Sequence, residues 1–365
     1  MTSQRVLIIA EAGVNHNGSP ELAARLVNAA AEAGADAVKF QVFKTVNVLT
    51  RSAPKAEYQK RTTEPQESFL EMGRKLELSF ETFAGLASQC RERGIGFLAS
   101  PFDEESLRFL QAEIQVPKIK IASGEITNGP LLLQAARGGR PVILSTGMSN
   151  LEEIEAALAV LAFGYSHPRS APSSSGFREA LRSEVGRKAL EERVTLLHCT
   201  TEYPAPAEEA NLRAMATLRD RFGLDVGWSD HTPGVAVAIA AAALGASVIE
   251  KHFTLDRTLA GPDHAASLEP SELRALVAAI RTVEVALGSR EKRATASEVK
   301  NRSVARRSLV AARPIHRGEP FTPENLVAKR PGTGLSPMHF WELLGQTADR
   351  DYESDDLILP PSGRA

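Results

Sequence analysis

"DVGWSDHTPGVAVAIAAAALGASVIEKHF" (residues 225–253) contains two short apolar runs that both end in polar side chains. The first run ends at Asp230 and His231, and a Pro-Gly pair stops any strand shortly afterwards. The second run ends at His252. Short apolar runs bounded by turn residues are typical of buried strands, so the fold depends on how many such runs the chain contains.

Eight runs of this kind occur along the chain, and segments with helical spacing of apolar residues lie between them. The first such segment places Leu22, Leu26 and Ala29 on one helix face, and Ser19 with Pro20 provides a cap and a first-turn proline. A strand followed by a helix, repeated eight times, predicts an α/β fold of the (β/α)8 TIM-barrel type, whose strands are buried on both faces. The eight runs are RVLIIAEAG, AVKFQVF, GFLASPF, KIKIAS, PVILSTG, VTLLHCT, DVGWSDH and SVIEKHF.

Composition changes along the chain predict two domains. Residues 1–288 are predicted to form the barrel, because the last helical segment ends near Gly288. Residues 289–304 are polar and charged and predict an exposed linker, while residues 305–365 contain short apolar runs broken by Pro and Gly and predict a small β-rich domain. Within the barrel, the segment 164–193 predicts a surface insertion whose Ser/Pro/Gly-rich part is disordered or mobile.

A chain of 365 residues with 43% hydrophobic residues, 24% charged residues and a net charge of −2 has the composition of a soluble globular protein. No run of Lys and Arg dominates, so nucleic acid is not an expected partner. Cys90 and Cys199 are too few for a disulfide framework. Neither a signal-peptide pattern nor a membrane-spanning segment is found, so we expect a cytoplasmic location and no membrane partner.

Polar residues lie at or just beyond the end of every apolar run. In a TIM barrel the active site lies at the carboxyl ends of the strands, so these residues are the candidates for function. A single His or Ser there is as readily explained as a buried polar group with a structural partner. Eight strand ends that meet at one mouth nevertheless predict a polar pocket. The candidates are Glu11, Lys39, Gln41, Ser100, Lys120, Ser123, Glu125, Ser145, Thr200, Thr201, Tyr203, His231 and His252.

Lys39 and Lys120 lie within apolar runs, where an ammonium group is costly to bury without an anionic partner. That partner is either a carboxylate of the protein or a carboxylate or phosphate of a substrate, and the residues leave both open. Hydroxyl groups at the same mouth would supply neutral hydrogen-bond donors to an anion. These are Ser100, Ser123, Ser145 and Thr200. The set predicts a phosphorylated acid as substrate.

His231 and His252 end adjacent parallel strands, which lie about 5 Å apart, so both imidazoles can reach one metal ion. A site with two histidines leaves positions for water and substrate, as a metal that polarises a carbonyl requires. The alternative is a structural pair of histidines that hydrogen-bond to Asp230 and Glu250. Imidazole ligands do not select the metal, so Mn²⁺, Mg²⁺ and Co²⁺ all remain open.

Ten motifs together resemble the bacterial sialic acid synthase family, whose members condense phosphoenolpyruvate with an N-acetylated mannosamine-type sugar to give a nine-carbon nonulosonic acid. The resemblance covers residues 5 to about 358 and leaves out only residues 164–193. It implies a TIM barrel followed by an antifreeze-like (SAF) domain. The motifs are EAGVNHNGS, VKFQ, ASPF, KIASGE, ILSTGM, LLHCTTEYPAP, GWSDHT, IEKHFTLD, GPDHAASL and KRPGTG.

The resemblance also implies roles for individual residues. His231 and His252 match the metal ligands, with Mn²⁺ the metal expected. Arg330 of the second domain is implied to reach the partner's active site in a domain-swapped homodimer. Thr201 stands where some members have asparagine, so its contact with phosphoenolpyruvate is carried over only weakly. The positions that hold phosphoenolpyruvate are Lys39, Ser100, Lys120, Ser123 and Ser145. Those that contact or act on the sugar are Glu11, Gln41, Glu125, Tyr203, Asp263 and Arg330.

Glu11, Lys39, Lys120 and Glu125 are the expected catalytic residues, with Glu11 orienting or deprotonating a water molecule. The expected reaction joins phosphoenolpyruvate to N-acetylmannosamine and releases phosphate by C–O cleavage, which gives N-acetylneuraminate. A 2,4-diacetamido-trideoxyhexose, which would give N,N'-diacetyllegionaminate or pseudaminate, is the alternative acceptor. Tyr58 or Gln59 is predicted to face the sugar. A metal-dependent phosphosugar aldolase is a more distant alternative, and a non-catalytic barrel that carries a sugar-binding module is another.

Overall fold

The computed structural model describes residues 5–64 and 66–359, which form two compact units divided after Gly288. In the first unit, eight parallel strands pair in the order β3-β2-β1-β8-β7-β6-β5-β4, and β3 also lies against β4. The predicted TIM barrel is therefore confirmed. The strands are β1 (Leu7–Gly13), β2 (Ala37–Val42), β3 (Gly96–Pro101), β4 (Ile119–Ile121), β5 (Val142–Ser145), β6 (Val194–Cys199), β7 (Asp225–Asp230) and β8 (Val248–His252).

Helices surround the barrel and bury their apolar faces against the outer faces of the strands. The predicted start of α1 is confirmed, since the Ser19 side chain accepts a hydrogen bond from the backbone N–H of Leu22. The last barrel helix ends at Leu287, next to Gly288. The helices of this unit are α1 (Pro20–Ala33), α2 (Thr45–Val48), α3 (Glu57–Thr62), α4 (Phe69–Leu76), α5 (Phe80–Arg93), α6 (Glu104–Phe109), α7 (Gly129–Arg137), α8 (Leu151–Ser166), α9 (Ser174–Arg182), α10 (Glu184–Arg193), α11 (Ala214–Phe222), α12 (Ala236–Ala243) and α13 (Pro270–Leu287). Short turns of other helix types lie at Leu110–Ile114, Ser123–Glu125, Ala207–Glu209 and His264–Ala266.

The strand register divides the barrel interior into an apolar and a polar layer. Alternate strand residues point inward, and the lower set forms a separate apolar cluster. One level higher, Glu11 of β1 is paired in register with both Lys39 of β2 and His252 of β8. The polar strand ends therefore meet at one level of the barrel. The apolar cluster consists of Ile9, Ala37, Leu98, Ile143, Leu197 and Val248.

The segment 164–193 differs from the expectation of a partly disordered insertion. It completes α8 and forms α9 and α10, which pack on α8 and bury Ala180 and Leu190. Two of its serines are helix caps, because the side chains of Ser173 and Ser183 each accept a backbone hydrogen bond at a helix start. Serine is frequent both at helix starts and in disordered segments, so composition alone does not distinguish the two.

The second unit has its own small core. Strand β9 (Ser308–Ala311) pairs antiparallel with β10 (Leu326–Lys329), and isolated bridges such as that between Ile315 and Tyr352 extend the β structure. Residues 289–304, predicted as a linker, contain most of α14 (Ala296–Ala305). This unit also contains a short turn at Pro337–His339 and α15 (Phe340–Leu343). None of the described helices is long and apolar enough to cross a membrane.

Two Gly→Ala changes are predicted to have opposite effects on stability, because Gly227 is tightly packed inside the barrel and Gly85 is not. At Gly227 in β7, a Cβ would overlap the carbonyl oxygen of Val248 and lie 2.7 Å from Leu197 Cδ2. We expect Gly227→Ala to lower the free energy of unfolding by about 1–3 kcal/mol, because neighbouring strands must move apart. At Gly85 in α5, no atom lies within 4 Å of an added Cβ, and we expect Gly85→Ala to raise stability by about 0.5–1 kcal/mol. Urea unfolding of both variants is the measurement. A Gly227→Ala protein as stable as the unaltered protein would show that the strands are less tightly packed.

Candidate active site

A cavity of about 300 Å³ opens at the carboxyl ends of the barrel strands. This is where the strand-end residues were expected to meet, and a cavity of this size is suited to a small substrate. Most of the predicted site residues line it. They are Glu11, Lys39, Gln41, Ser100, Lys120, Ser123, Ser145, Thr201, Tyr203, His231, His252 and Asp263.

The floor of the cavity is a charge cluster of Glu11, Lys39, Lys120 and Glu250, each at most 3% exposed. Lys39 Nζ lies 2.9 Å from Glu11 Oε2 and 3.7 Å from Glu250 Oε2. Lys120 Nζ lies 3.4 Å from Glu250 Oε1. Both lysines thus have protein carboxylates as partners, which is one of the two alternatives that the sequence left open. Both ammonium groups also line the cavity and can contact an anion placed there.

Burial and neighbouring charges separate the pKa values of the charge cluster. Burial raises the pKa of Glu11, and the nearby Lys39 ammonium only partly opposes this. Burial alone would raise the pKa of Glu250, but Lys120 and Lys39 together bring it below its usual value. Burial also lowers the pKa of Lys120, although Glu250 counteracts it. Glu11 is therefore the carboxyl group of the cluster that most readily takes up a proton.

Hydroxyl groups form a second part of the floor, the hydroxyl cradle of Ser123, Ser145 and Thr201. Ser145 Oγ and Thr201 Oγ1 are buried without a hydrogen-bond partner among the described residues. A Cβ at Gly147 would overlap Thr201 Oγ1 and lie 2.9 Å from Ser123 Oγ, so only glycine allows the cradle to close. Buried hydroxyls rarely lack partners, and two that line one cavity favour a ligand with acceptor oxygens.

His231 and His252 lie side by side at the cavity, with ring centroids 5.4 Å apart. Nδ1 of His231 donates to the carbonyl oxygen of Thr200 at 2.6 Å, which leaves the lone pair on Nε2. Nδ1 of His252 is buried without a hydrogen-bond partner among the described residues, and it lies 3.8 Å from Asp263 Oδ2. Burial lowers the pKa of His231 to about 4 and that of His252 well below its usual value. Both rings are neutral at pH 7, as metal ligands must be.

The two histidines do not form hydrogen bonds to Asp230 and Glu250, which was the structural alternative to metal binding. Asp230 pairs with Lys251 at 2.8 Å, and Glu250 accepts from Ser229 at 3.0 Å, so neither carboxylate holds an imidazole. Over the described residues, no group of three or more His, Cys, Asp and Glu side chains is arranged to hold a metal ion. An ion held by these two imidazoles would have to take its other ligands from water and substrate.

Aromatic and polar side chains cover the histidines on the solvent side. The ring of Tyr203 lies 4.2 Å from that of His231, and the ring of Tyr58 lies 5.0 Å from that of Tyr203. Tyr58 and Gln59 of α3 both line the cavity. Burial and the charge of Glu11 raise the pKa of Asp263 to about 7.

The outer side of the cavity is an apolar wall contributed by the connection between β2 and β3. It consists of Phe43, Val48, Leu49, Phe69, Met72 and Leu76. The same connection also contributes the polar residues Thr45, Tyr58 and Gln59 to the lining, and no described lining residue between positions 43 and 76 is charged. The cavity therefore combines a charged floor with an apolar wall.

Three predicted residues lie elsewhere. Glu125, in the turn after β4, accepts from Asn128 Nδ2 at 2.8 Å and does not line the cavity. The Thr200 hydroxyl donates to the carbonyl of Glu209, so Thr200 acts on the site through its own carbonyl, which orients His231. Arg330 belongs to the second unit, where its Nε donates to the carbonyl of Ala305.

Glu250 is the central residue that the sequence reasoning did not assign. In "VIEKH", Val248, Glu250 and His252 share the inward face of β8, while Lys251 faces outward to Asp230. Strict alternation along β8, counted back from His252, would have identified Glu250.

Comparison with known proteins identifies the family. The NeuB family model matches residues 26–292, and the SAF domain model matches residues 306–362. The chain belongs to the NeuB family. It is 48% identical to N,N'-diacetyllegionaminic acid synthase of Campylobacter jejuni, over 97% of this chain and 99% of that protein. It is 41% identical to the synthase of the same name from Legionella pneumophila, over 98% and 94%.

A solved structure agrees with these relatives. The N-acetylneuraminic acid synthetase of Leptospira borgpetersenii, solved with citrate, is 35% identical with a TM-score of 0.64, over 81% of this chain and 90% of that one. The resemblance to sialic acid synthases is therefore confirmed, including the SAF domain. This NeuB-family chain is a phosphoenolpyruvate-dependent condensing synthase that forms a nonulosonic acid.

The charge cluster generates a prediction about stability. Glu250→Gln leaves two buried ammonium groups with one carboxylate, and we expect a loss of about 3–5 kcal/mol in unfolding free energy. Inorganic phosphate should restore part of this loss, because an anion in the cavity replaces the missing charge. Thermal unfolding with and without phosphate is the measurement, with the exposed Glu113→Gln as control. Equal phosphate shifts in Glu250→Gln and in the unaltered protein would contradict this account.

Proposed function

We propose that this NeuB-family enzyme is an N,N'-diacetyllegionaminate synthase, which condenses phosphoenolpyruvate with a 2,4-diacetamido-trideoxyhexose and releases phosphate. The observation that carries the proposal is the 48% identity to the Campylobacter jejuni synthase over nearly the whole of both chains. Identity to the N-acetylneuraminic acid synthetase is 35%. The alternative acceptor of the sequence analysis is thus better supported than N-acetylmannosamine.

The floor of the cavity is suited to phosphoenolpyruvate. Lys39 and Lys120 provide two positive charges for its carboxylate and phosphate, in a site shielded from water where such charges interact strongly. The hydroxyls of Ser145 and Thr201 have no partner among the described residues and can donate to the same oxygens. The charge cluster and the hydroxyl cradle together hold the anion.

We propose that His231 and His252 bind one divalent metal ion, with Mn²⁺ the first candidate. Such an ion would supply Lewis-acid polarisation of the aldehyde oxygen of the open-chain sugar. Thr200 holds the ring of His231 in the tautomer that offers Nε2, and Tyr203 packs against both imidazole rings. These contacts orient the two rings, and burial keeps them neutral.

In the proposed reaction, C3 of phosphoenolpyruvate forms a bond to C1 of the sugar with the electrons of its double bond, and the electrons of the C1=O double bond move to the aldehyde oxygen. Water adds to the cationic C2 and gives up one proton, which balances the proton that the new C1 hydroxyl group takes up. Collapse of the tetrahedral centre then breaks the C–O bond to phosphate and forms the keto group, and the second proton of the water leaves with phosphate. We assign the acceptance of a proton from that water to Glu11, because it lines the cavity beside Lys39 and burial raises its pKa, which makes it a stronger base than an ordinary carboxylate. Lys39, 2.9 Å from Glu11, favours its ionised form.

A panel of acceptor sugars tests the proposed substrate. With phosphoenolpyruvate and Mn²⁺, we expect kcat/KM for the 2,4-diacetamido-trideoxyhexose to exceed that for N-acetylmannosamine by at least about tenfold, a range that a few substrate groups can supply. Phosphate release is the readout, and Lys120→Met is the inactive control. A preference for N-acetylmannosamine would show that the acceptor proposal is wrong.

Metal binding is tested on the protein itself. We expect chelator-treated protein to bind Mn²⁺ in a titration calorimeter. The His252→Ala change should lower the Mn²⁺ affinity by more than the roughly 10–100-fold loss that is typical of changes outside the ligand shell. The exposed His339→Ala in the second unit is the control. Unchanged Mn²⁺ affinity in His252→Ala, or full turnover after metal removal, would refute the assignment.

A further inference from the structure

The apolar wall is held in a fixed position in the same cavity as the charge cluster. The backbone N–H and the hydroxyl of Thr45 both donate to Glu77 Oε2, at 2.9 and 3.0 Å, and Lys44 Nζ lies 3.2 Å from Glu77 Oε1. These contacts fasten the start of α2 to the end of α4. A Cβ at Gly73 would lie 2.7 Å from Thr45 Cγ2, so the two helices approach as closely as glycine allows. The wall is therefore formed before any ligand binds.

The wall is separate from the hydrophobic core of the barrel. Val14, Met72 and Leu76 form an apolar cluster of their own, against which Phe43 and Phe69 pack. Met72 and Leu76 are only 5% and 8% exposed, yet both line the cavity. Part of the surface of Met72 and Leu76 packs α4 onto the barrel, and the rest faces the cavity that a substrate would fill.

The position of the wall indicates which part of an acceptor it meets. The carbon atom that forms the new bond must lie near Lys39, Lys120 and the two histidines, because these groups hold both reacting ends. An open-chain sugar that starts at the strand ends extends outward from them, and α2 and α4 lie beyond the end of β2 and line the same cavity. Hydroxyl groups set against the apolar side chains of these helices would lose hydrogen bonds to water and find no partner on those side chains.

We infer that the apolar wall receives the deoxygenated end of the acceptor, with Met72 and Phe69 in contact with its terminal methyl group and the nearby acetamido methyl. This inference rests on the proposed function, since it concerns the same acceptor. A methyl group gains from burial against Met72 and Phe69, whereas a hydroxymethyl group in the same place would find no hydrogen-bond partner on these two side chains. The wall thus favours a 6-deoxy acceptor over its 6-hydroxy counterpart.

Met72→Gln tests the inference, because it keeps the length of the side chain and replaces its thioether by an amide. We expect kcat/KM for the 2,4-diacetamido-trideoxyhexose to fall about tenfold, through KM, with KM for phosphoenolpyruvate unchanged. For N-acetylmannosamine we expect no loss. Val46→Gln is the matched control, since Val46 also lies in α2–α4 but is 65% exposed and does not line the cavity. Phe69→Tyr, which adds a single hydroxyl to the wall, is the second variant if Met72→Gln does not fold.

Two results would overturn the inference. One is an equal loss of kcat/KM with both sugars, which would mean that the wall only supports the shape of the cavity. The other is unchanged kinetics with both sugars in a folded variant. If the unaltered protein instead prefers N-acetylmannosamine, the proposed function fails, and the wall is then tested with N-acetylmannosamine and its 6-deoxy analogue. Preference for the 6-deoxy analogue, lost in Met72→Gln, would support the inference, and equal use of the two would overturn it.

Discussion

Two ammonium groups inside an apolar barrel are the constraint on which the site depends. Lys39 and Lys120 can stay buried and charged only if carboxylates lie within a few ångströms, and Glu11 and Glu250 meet that requirement. The parallel register places Glu11 level with Lys39, and a slip of one residue would turn either side chain to the opposite face of the sheet. The same register determines which residues lie below the cluster as an apolar layer. The strand register that forms the barrel therefore also brings the site residues together.

The two sides of the cavity come from different parts of the architecture. Strand ends supply the charge cluster and the histidines, where rigid parallel pairing fixes distances. The connection between β2 and β3 supplies the apolar wall and Tyr58, and its helices α2 and α4 are fastened to one another by Thr45 and Glu77. We expect changes in this connection to alter the acceptor without disturbing the charges proposed to hold phosphoenolpyruvate.

Much of the barrel and its mouth could be predicted from the sequence, because strands buried on both faces appear as apolar runs and their ends converge. Sequence and structure differ where side-chain direction decides the outcome. Glu125 was predicted from its place after β4 and from the family resemblance, but in the turn at Ser123–Glu125 it pairs with Asn128 and does not line the cavity. The apolar residues Met72 and Leu76 have ordinary helical spacing, which does not distinguish a core-facing residue from one that faces a substrate. Only three-dimensional packing separates these cases.

The balance of charges around Glu11 explains how one carboxyl group can serve as a base in a site built for anions. Burial and the neighbouring Glu250 raise its pKa, while Lys39 limits the rise. In the proposed mechanism Lys39 also contacts the substrate anion, so part of its charge would no longer compensate Glu11 and the pKa of Glu11 would rise further. The ion pair of Lys39 and Glu11 would thereby link anion binding to the proton affinity of the proposed base.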